Sequence, residues 1–390
     1  MFPDIRSDRL LATMKRRHFF FGLAGAPILS RALAQTQATT SPQAPPPAAP
    51  PAPDLEWVDA KKLTVEGLGF KDVKSPYDRL PGRAEGVVPA PVWNLSRDSA
   101  GALVRFTAAT PSIWARWTIT NKNLAGANIT AIASSGLDLY AKTDAGKWRW
   151  LGMGQPKFPD TEAALINGIP AAAREFMVYL PLRNGVTSLE FGVPKGSTIA
   201  AGPARAAGSK PILFYGTSIT HGIGASRSGM THVAMLGRTF DREVINLGFS
   251  GNGRMEPEVV KFVAELDPAV FVLDCLPNMG PAQVTERTLP GVKIIREAHP
   301  DTPILLVEDR NIQTGFLVEA RRKANEANHA ALRDAYSAIQ AEKTSGVYYL
   351  KGDDLLGSDG EGTVDGSHPT DLGFTRQAAE FERVLRPILK

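Results

Sequence analysis

The sequence predicts an all-β, jelly-roll-like sandwich followed by a three-layer α/β sandwich built on five parallel strands. Three observations carry this. Residues 54–200 hold short runs of alternating apolar and polar residues between Gly, Asn, Asp and Pro turns. After residue 210, short apolar runs alternate with helical stretches, the rhythm of a parallel sheet covered by helices on both faces. A Gly/Ala/Pro-rich joint at 197–209 separates the two rhythms.

The N-terminus stands apart from both. Lys15-Arg16-Arg17, then Phe19-Phe20-Phe21, a Gly/Ala/Leu stretch and Ala32-Leu33-Ala34 give the positive start, apolar centre and small-x-small cleavage site of an export signal. The Arg pair followed by x-Phe-Phe resembles the twin-arginine type, and Met14 can serve as the start. The apolar run is shorter than the ~20 residues a membrane span needs and is broken by Pro27 and Arg31. The reading is a signal over 1–34, a Pro/Ala-rich linker over 35–53, and a periplasmic or secreted mature protein with no stable membrane span.

Composition narrows the remainder. The 390 residues carry a net charge of +4 with basic and acidic side chains interspersed, which argues against nucleic acid as a partner. The single cysteine, Cys275, excludes an intrachain disulfide and reads as a buried thiol within the apolar run 269–275. No His/Asp/Glu grouping has metal-ligand spacing and no glycine-rich loop has a phosphate-binding pattern, so neither a metal nor another cofactor is expected.

In the first region, strands are expected at 102–106, 113–118, 137–140, 148–151, 176–180 and 188–193. All six Trp residues fall here. At strand spacing most read as core, with a sugar-stacking platform as the alternative. In the second region, strands are expected at 211–215, 243–247, 269–275, 303–307 and 347–350. The clearest helix spans 319–342, with Ala327, Ala331, Leu332, Ala335, Tyr336 and Ile339 as its apolar stripe.

Chemistry-bearing residues follow four of these strands. Gly216-Thr217-Ser218 comes directly after the first, where a tight strand-to-helix turn can expose a serine hydroxyl. Gly248 to Gly253 follow the second, and glycines there let a backbone N–H approach a ligand closely. Asn278 follows the third, and its amide can donate to a developing oxyanion. Asp365-Gly366-Ser367-His368 lies far downstream, where the carboxylate can orient the imidazole as a base. Taken singly, each has a plain turn or cap reading.

The order Gly-Thr-Ser, Gly, Asn, Asp-x-x-His resembles the four blocks of the SGNH (GDSL-type) hydrolase superfamily over 210–390. Gly136-Leu137-Asp138-Leu139-Tyr140 resembles a signature of the β domains that precede one branch of these enzymes. Thr217 stands where the usual motif has Asp, and Pro277-Asn278-Met279 replaces Gly-x-Asn-Asp. The resemblance implies a flavodoxin-like sandwich and ester hydrolysis through an acyl-serine. It makes Ser218 the nucleophile, His368 the base, Asp365 its orienter, and Gly251 and Asn278 oxyanion donors beside the Ser218 amide. It also implies a short acyl group, acetyl foremost, on a carbohydrate or small-molecule ester. A lipase, thioesterase or acyltransferase of the same fold remains open, as does an inactive exported carbohydrate-binding protein.

Four further residues are candidates for substrate contact. His221 either competes for the base role or lines the pocket. Arg227 either holds a polar substrate group or is a solvated loop residue. Glu308 and Arg310, flanking Asp309 after the fourth strand, either pair with one another or form a pocket wall.

Overall fold

The computed structural model describes residues 53–389, so the signal read at 1–34 and nearly all of the linker lie outside the described residues. Ten strands fill the N-terminal part: β1 (Leu55–Asp59), β2 (Thr64–Glu66), β3 (Leu103–Ala109), β4 (Ser112–Ile119), β5 (Leu137–Lys142), β6 (Trp148–Gly154), β7 (Asp160–Asn167), β8 (Arg174–Tyr179), β9 (Val186–Pro194) and β10 (Thr198–Ala201). They form two antiparallel sheets, ordered β1-β9-β4-β7 and β10-β3-β8-β5-β6, with β2 added beside β3. Alternate residues of both sheets, among them Phe106, Ile113, Trp117, Leu139, Phe176 and Phe191, meet in one buried core. Two short helices, α1 (Ala90–Ser96) and α2 (Ala131–Ser135), interrupt the strands.

The second part carries β11 (Ile212–Gly216), β12 (Val244–Gly248), β13 (Val270–Asp274), β14 (Ile304–Val307) and β15 (Val347–Leu350), all parallel, in the order β12-β11-β13-β14-β15. This is the flavodoxin-like order, whose direction of winding reverses between β11 and β13. Every residue of β11, β12 and β13 is buried, as a sheet covered on both faces requires.

The helices divide the two faces between them. Ile212, Phe214, Val270 and Val272 pack with α4 (His232–Phe240) and α8 (Asp371–Ile388). Leu213, Tyr215, Phe271 and Leu273 pack with α5 (Pro257–Val263), α6 (Pro281–Ala298) and α7 (Glu319–Ala341). The two-residue alternation of a strand thus sends the odd and even residues of β11 and β13 to different cores.

Two expectations change. Ala327 is exposed on α7, whose buried stripe begins instead with Asn325 and His329. Only Trp93 and Trp117 of the six Trp residues are buried, and Trp150 is half exposed. Trp93 belongs to the second core. The segment between β2 and β3 crosses over to the parallel sheet, where Phe70, Leu80, Val88, Val92 and Trp93 pack with Tyr215, Ile245 and Phe262. The α/β core is therefore completed by residues that precede most of the β sandwich.

Candidate active site

Ser218 stands where winding reverses, at the carboxyl end of β11. Gly216 ends that strand so close to its neighbours that a Cβ would lie 2.2 Å from Thr220 Oγ1 and 2.7 Å from Asp274 O. Thr217 then caps a single helical turn, α3 (Ser218–His221), its hydroxyl accepting from Ile219 N. Gly222, at φ +109°, ends the turn. The turn is fixed from below. Thr220 Oγ1 donates to Asp274 Oδ2, and Asn246 Nδ2 donates to Thr220 O, both within 3.0 Å.

The loop after β15 brings His368 to this serine, with Nε2 2.8 Å from Ser218 Oγ. The other ring nitrogen, Nδ1, lies 2.7 Å from Asp365 Oδ2. A proton on Nδ1, donated to the carboxylate, leaves Nε2 as acceptor for the Ser218 hydroxyl. Partial burial opposes the charge on Asp365. The Asn128 amide, the His368 and Ser367 backbone N–H groups and the imidazole outweigh it and hold the carboxyl well below the usual carboxylate range. A hydroxyl, imidazole and anionic carboxylate in series can carry nucleophilic catalysis.

Ser218 and His368 open into a cleft of about 620 Å³, which Gly251 and Asn278 also line. Gly251 adopts φ +70° on the β12–α5 loop. Neither its amide nor that of Ser218 hydrogen-bonds to another described residue. Asn278 ends a 3-10 turn after β13 and donates one amide hydrogen to Asn252 O at 2.6 Å. The geometry thus gathers Ser218, His368, Asp365, Gly251 and Asn278 at one end of the sheet.

The four residues considered for substrate contact lie elsewhere. His221 is wholly buried, its Nδ1 3.2 Å from Ser250 Oγ and its Nε2 3.4 Å from Arg79 Nη2. Burial, and then the Arg79 charge, push its pKa well below the ordinary histidine value. Arg227 turns away from the cleft to Asp138 at 3.1 Å and to the Tyr140 hydroxyl. Glu308 is buried under α7, accepting from Arg333, Tyr349 and the Gly352 amide. Arg310, also buried, forms a bidentate pair with Asp274 (2.6 and 2.9 Å) and reaches Gln377. It therefore braces the strand end beneath Thr220 and touches no cleft surface. Burial among hydrogen-bond partners (for Arg227, partial burial against Asp138 and Tyr140) replaces the open polar surface that a loop position suggested.

The sequence reading missed part of the cleft lining. Asn121, Asn123, Asn128 and Arg183, all from the β-rich part, line the same cleft as Ser218. Arg183 Nε lies 3.3 Å from Asp98 Oδ2. Burial raises the Asp98 carboxyl to about 6 against the pull of Arg79 and Arg183. The only local signal for the three asparagines was the Asn- and Gly-containing segment 121–128, which reads as an ordinary turn.

Comparison with known proteins places these features. A GDSL-like lipase/acylhydrolase family model matches residues 209–386. The GxDLY model, the N-terminus of SGNH hydrolase-type esterases, matches 55–199. A Bacteroides ovatus protein designated a GDSL-like lipase is 36% identical, with a TM-score of 0.82 over 86% of this chain and 98% of that one. Two more distant structures share the fold. The salicylyl-acyltransferase SsfX3 of a tetracycline biosynthetic pathway is 18% identical, with a TM-score of 0.68 over 86% and 97% of the chains. A family two carbohydrate esterase from Cellvibrio japonicus is 14% identical, with a TM-score of 0.57 over 87% and 99%. No curated protein sequence matches the chain. Coverage of both parts by their own family models, with one relative similar end to end, makes this chain a member of the GDSL-like lipase/acylhydrolase (SGNH) family and an ester-hydrolysing enzyme.

Proposed function

We propose that the protein is a serine esterase removing short acyl groups, acetyl foremost, from carbohydrate esters by way of an acyl-Ser218 intermediate. One observation carries the reading. The hydrogen-bonded series Ser218–His368–Asp365 opens into a cleft whose lining includes the amides of Asn121, Asn123 and Asn128 and the Arg183 guanidinium, suited to a hydroxylated alcohol part.

His368 Nε2 takes the hydroxyl proton as Ser218 Oγ attacks the ester carbonyl. The tetrahedral oxyanion is received by the Ser218 and Gly251 amides and the Asn278 side chain, each worth roughly 3 kcal/mol of barrier. Asp365 stabilises the imidazolium, which then protonates the leaving alcohol. Water, deprotonated by His368 in turn, releases the acid and restores the serine.

A second reading has its own support. Phe316 and Leu317 are 83% and 79% exposed on the β14–α7 loop. That loop adjoins the catalytic one, with Gln313 accepting from the Thr363 hydroxyl at 2.9 Å. An exposed apolar pair beside the catalytic loop suits a longer acyl chain or a lipid surface.

The test compares acetylated xylo-oligosaccharides, p-nitrophenyl acetate and a long-chain p-nitrophenyl ester on wild type and Ser218→Ala. Preference for the acetyl esters, with at least a ~10³-fold loss in the variant, supports the first reading. Preference for the long chain selects the second. Carbohydrate retention without turnover by the wild type would reduce the protein to a binding module. An organophosphate adduct mapped to another serine would overturn the assignment of Ser218. Export to the periplasm or beyond belongs to the same proposal. It rests on the 1–34 signal and is tested by N-terminal sequencing of the mature protein.

A further inference from the structure

Asp365 sits on a loop with glycines at 357, 360, 362 and 366, and its side chain is about one-third exposed. Its Oδ1 accepts from Ser367 N at 3.1 Å and His368 N at 2.8 Å. Its Oδ2 accepts from His368 Nδ1 at 2.7 Å and Asn128 Nδ2 at 2.8 Å. Three of these four donors belong to residues 367 and 368 and travel with the loop. Among the described residues, Asn128 is the one donor that ties the carboxylate to anything else.

Asn128 itself stands on a fixed base. The next residue, Ile129, is buried with Ile219, Ile223 and Phe374, so this β-region loop packs on the same short helix that begins with Ser218. Thr130 caps α2 and donates from its hydroxyl to Ser226 O at 2.6 Å. The chain from Ile219 through Ile129 and Asn128 to Asp365 therefore links the serine's element to the carboxylate's loop, and Asn128 Nδ2 also lies 3.3 Å from His368 Nδ1.

We infer that Asn128, contributed by the β-rich part, is a positioning residue that holds the Asp365 carboxylate, and through it His368, in register with Ser218. The inference rests on the Ser218–His368–Asp365 reading above. It gives the N-terminal part a direct role in the reaction, beyond lining the cleft.

The other charged groups near this trio are Arg183, which also lines the cleft, Arg321 beside Gly366, and Asp371, which is engaged with Ser226. None of them bonds to Asp365 in place of Asn128.

The experiment is the pH profile of p-nitrophenyl acetate hydrolysis by the full chain, for wild type, Asn128→Ala, Asn128→Asp and Lys122→Ala. Lys122 is exposed on the same loop and outside the cleft. Asn128→Ala is expected to lower kcat on the order of tenfold with KM unchanged. Asn128→Asp places a second carboxylate beside the imidazole and favours its protonated form. The acid limb of kcat/KM should then move to higher pH by roughly one unit or more. Lys122→Ala should leave both quantities as in the wild type.

Matching far-UV spectra and melting temperatures make the comparison one of chemistry. If Asn128→Asp fails to fold, the kcat-against-KM split of Asn128→Ala decides. Wild-type kcat in Asn128→Ala together with an unmoved acid limb in Asn128→Asp would overturn the inference. Full activity in Ser218→Ala would instead sink the triad reading, so the two failures are distinguishable.

Discussion

The buried carboxylate of Asp138 on β5 accepts a 2.8 Å hydrogen bond from the backbone N–H of Gly229, 91 residues away in the segment leading into α4. The same carboxylate receives Arg227 at 3.1 Å and Trp150 Nε1 at 2.9 Å. Asp138 and Tyr140, the two polar residues of the Gly-x-Asp-Leu-Tyr run, thus pin the antiparallel sheet to the parallel one. Burial raises the Asp138 carboxyl, and Arg227 with the Gly229 amide opposes that rise.

Removing this carboxylate leaves the buried Gly229 N–H without its acceptor and strips the part-buried Arg227 guanidinium and Trp150 indole N–H of theirs. Asp138→Ala is therefore expected to lose roughly 3–5 kcal/mol in urea denaturation. Asp138→Asn should lose less, since the amide oxygen still accepts one of the three donors. Equal stability of Asp138→Ala and wild type would remove the pin from this account.

Arg79 makes a comparable crossing from the β2–β3 segment. Its guanidinium donates to Gly248 O (2.6 Å), Asn246 O (3.2 Å), Leu95 O (2.5 Å) and Asp98 O (2.8 Å). An ammonium has three donors on a rotating point and cannot reproduce this planar fork. Arg79→Lys should destabilise by about 2 kcal/mol or more and, because Gly248 opens the loop carrying Gly251, should also lower kcat. Stability can be read by calorimetry and kcat on p-nitrophenyl acetate.

Two glycines of that loop separate strain from contact. Gly251 and Gly253 both adopt φ +70°. A Cβ on Gly251 meets nothing within 4 Å, whereas one on Gly253 would lie 1.9 Å from Gly216 O, two residues before the serine. Gly251→Ala should cost about 1 kcal/mol of backbone strain. Gly253→Ala should cost several-fold more and depress kcat further, since the end of β11 must move. Equal effects on melting temperature and kcat would show that the close approach does not govern the turn.

The parallel strands were legible because burial on both faces leaves an unmixed apolar run, and all five fall within two residues of their expected limits. Four strands of the antiparallel sheets, β1, β2, β7 and β10, were not. Asp160–Asn167 reads Asp-Thr-Glu-Ala-Ala-Leu-Ile-Asn, which has no clear two-residue alternation, and it pairs only with β4 at the sheet's margin. The crossing of residues 70–93 onto the α/β core left no periodic mark, because Phe70, Leu80 and Val88 are spaced by loop geometry. At the site, the residues converging on Ser218 came from blocks whose order carries meaning. Asn128 came from a loop whose composition is that of any turn, so only its proximity to Asp365 distinguishes it.

His232 offers a pH test of stability, read apart from the catalytic pH profile. Its ring is wholly buried, stacked on Phe374 at 5.6 Å and 7°, and set edge-on to Phe214. Neither ring nitrogen has a hydrogen-bond partner among the described residues. Burial, and then the Arg310 charge, hold its pKa well below 6.5. The unfolded chain takes up a proton near pH 6.5 that the native state refuses, so this contribution is present above that pH and lost as pH falls. His221 acts in the same sense. Asp98 and Asp309, both raised to about 6 chiefly by burial, act oppositely: their contribution is present below about pH 4 and lost as pH rises through 6. The wild-type profile is thus a partial cancellation, and His232→Phe, which suits the aromatic cluster, isolates one member. Between pH 6 and 5 the variant should gain on the wild type by roughly 1 kcal/mol per pH unit in urea denaturation, whatever its offset at pH 8. Parallel profiles for the two proteins would mean that the native state protonates His232 without penalty.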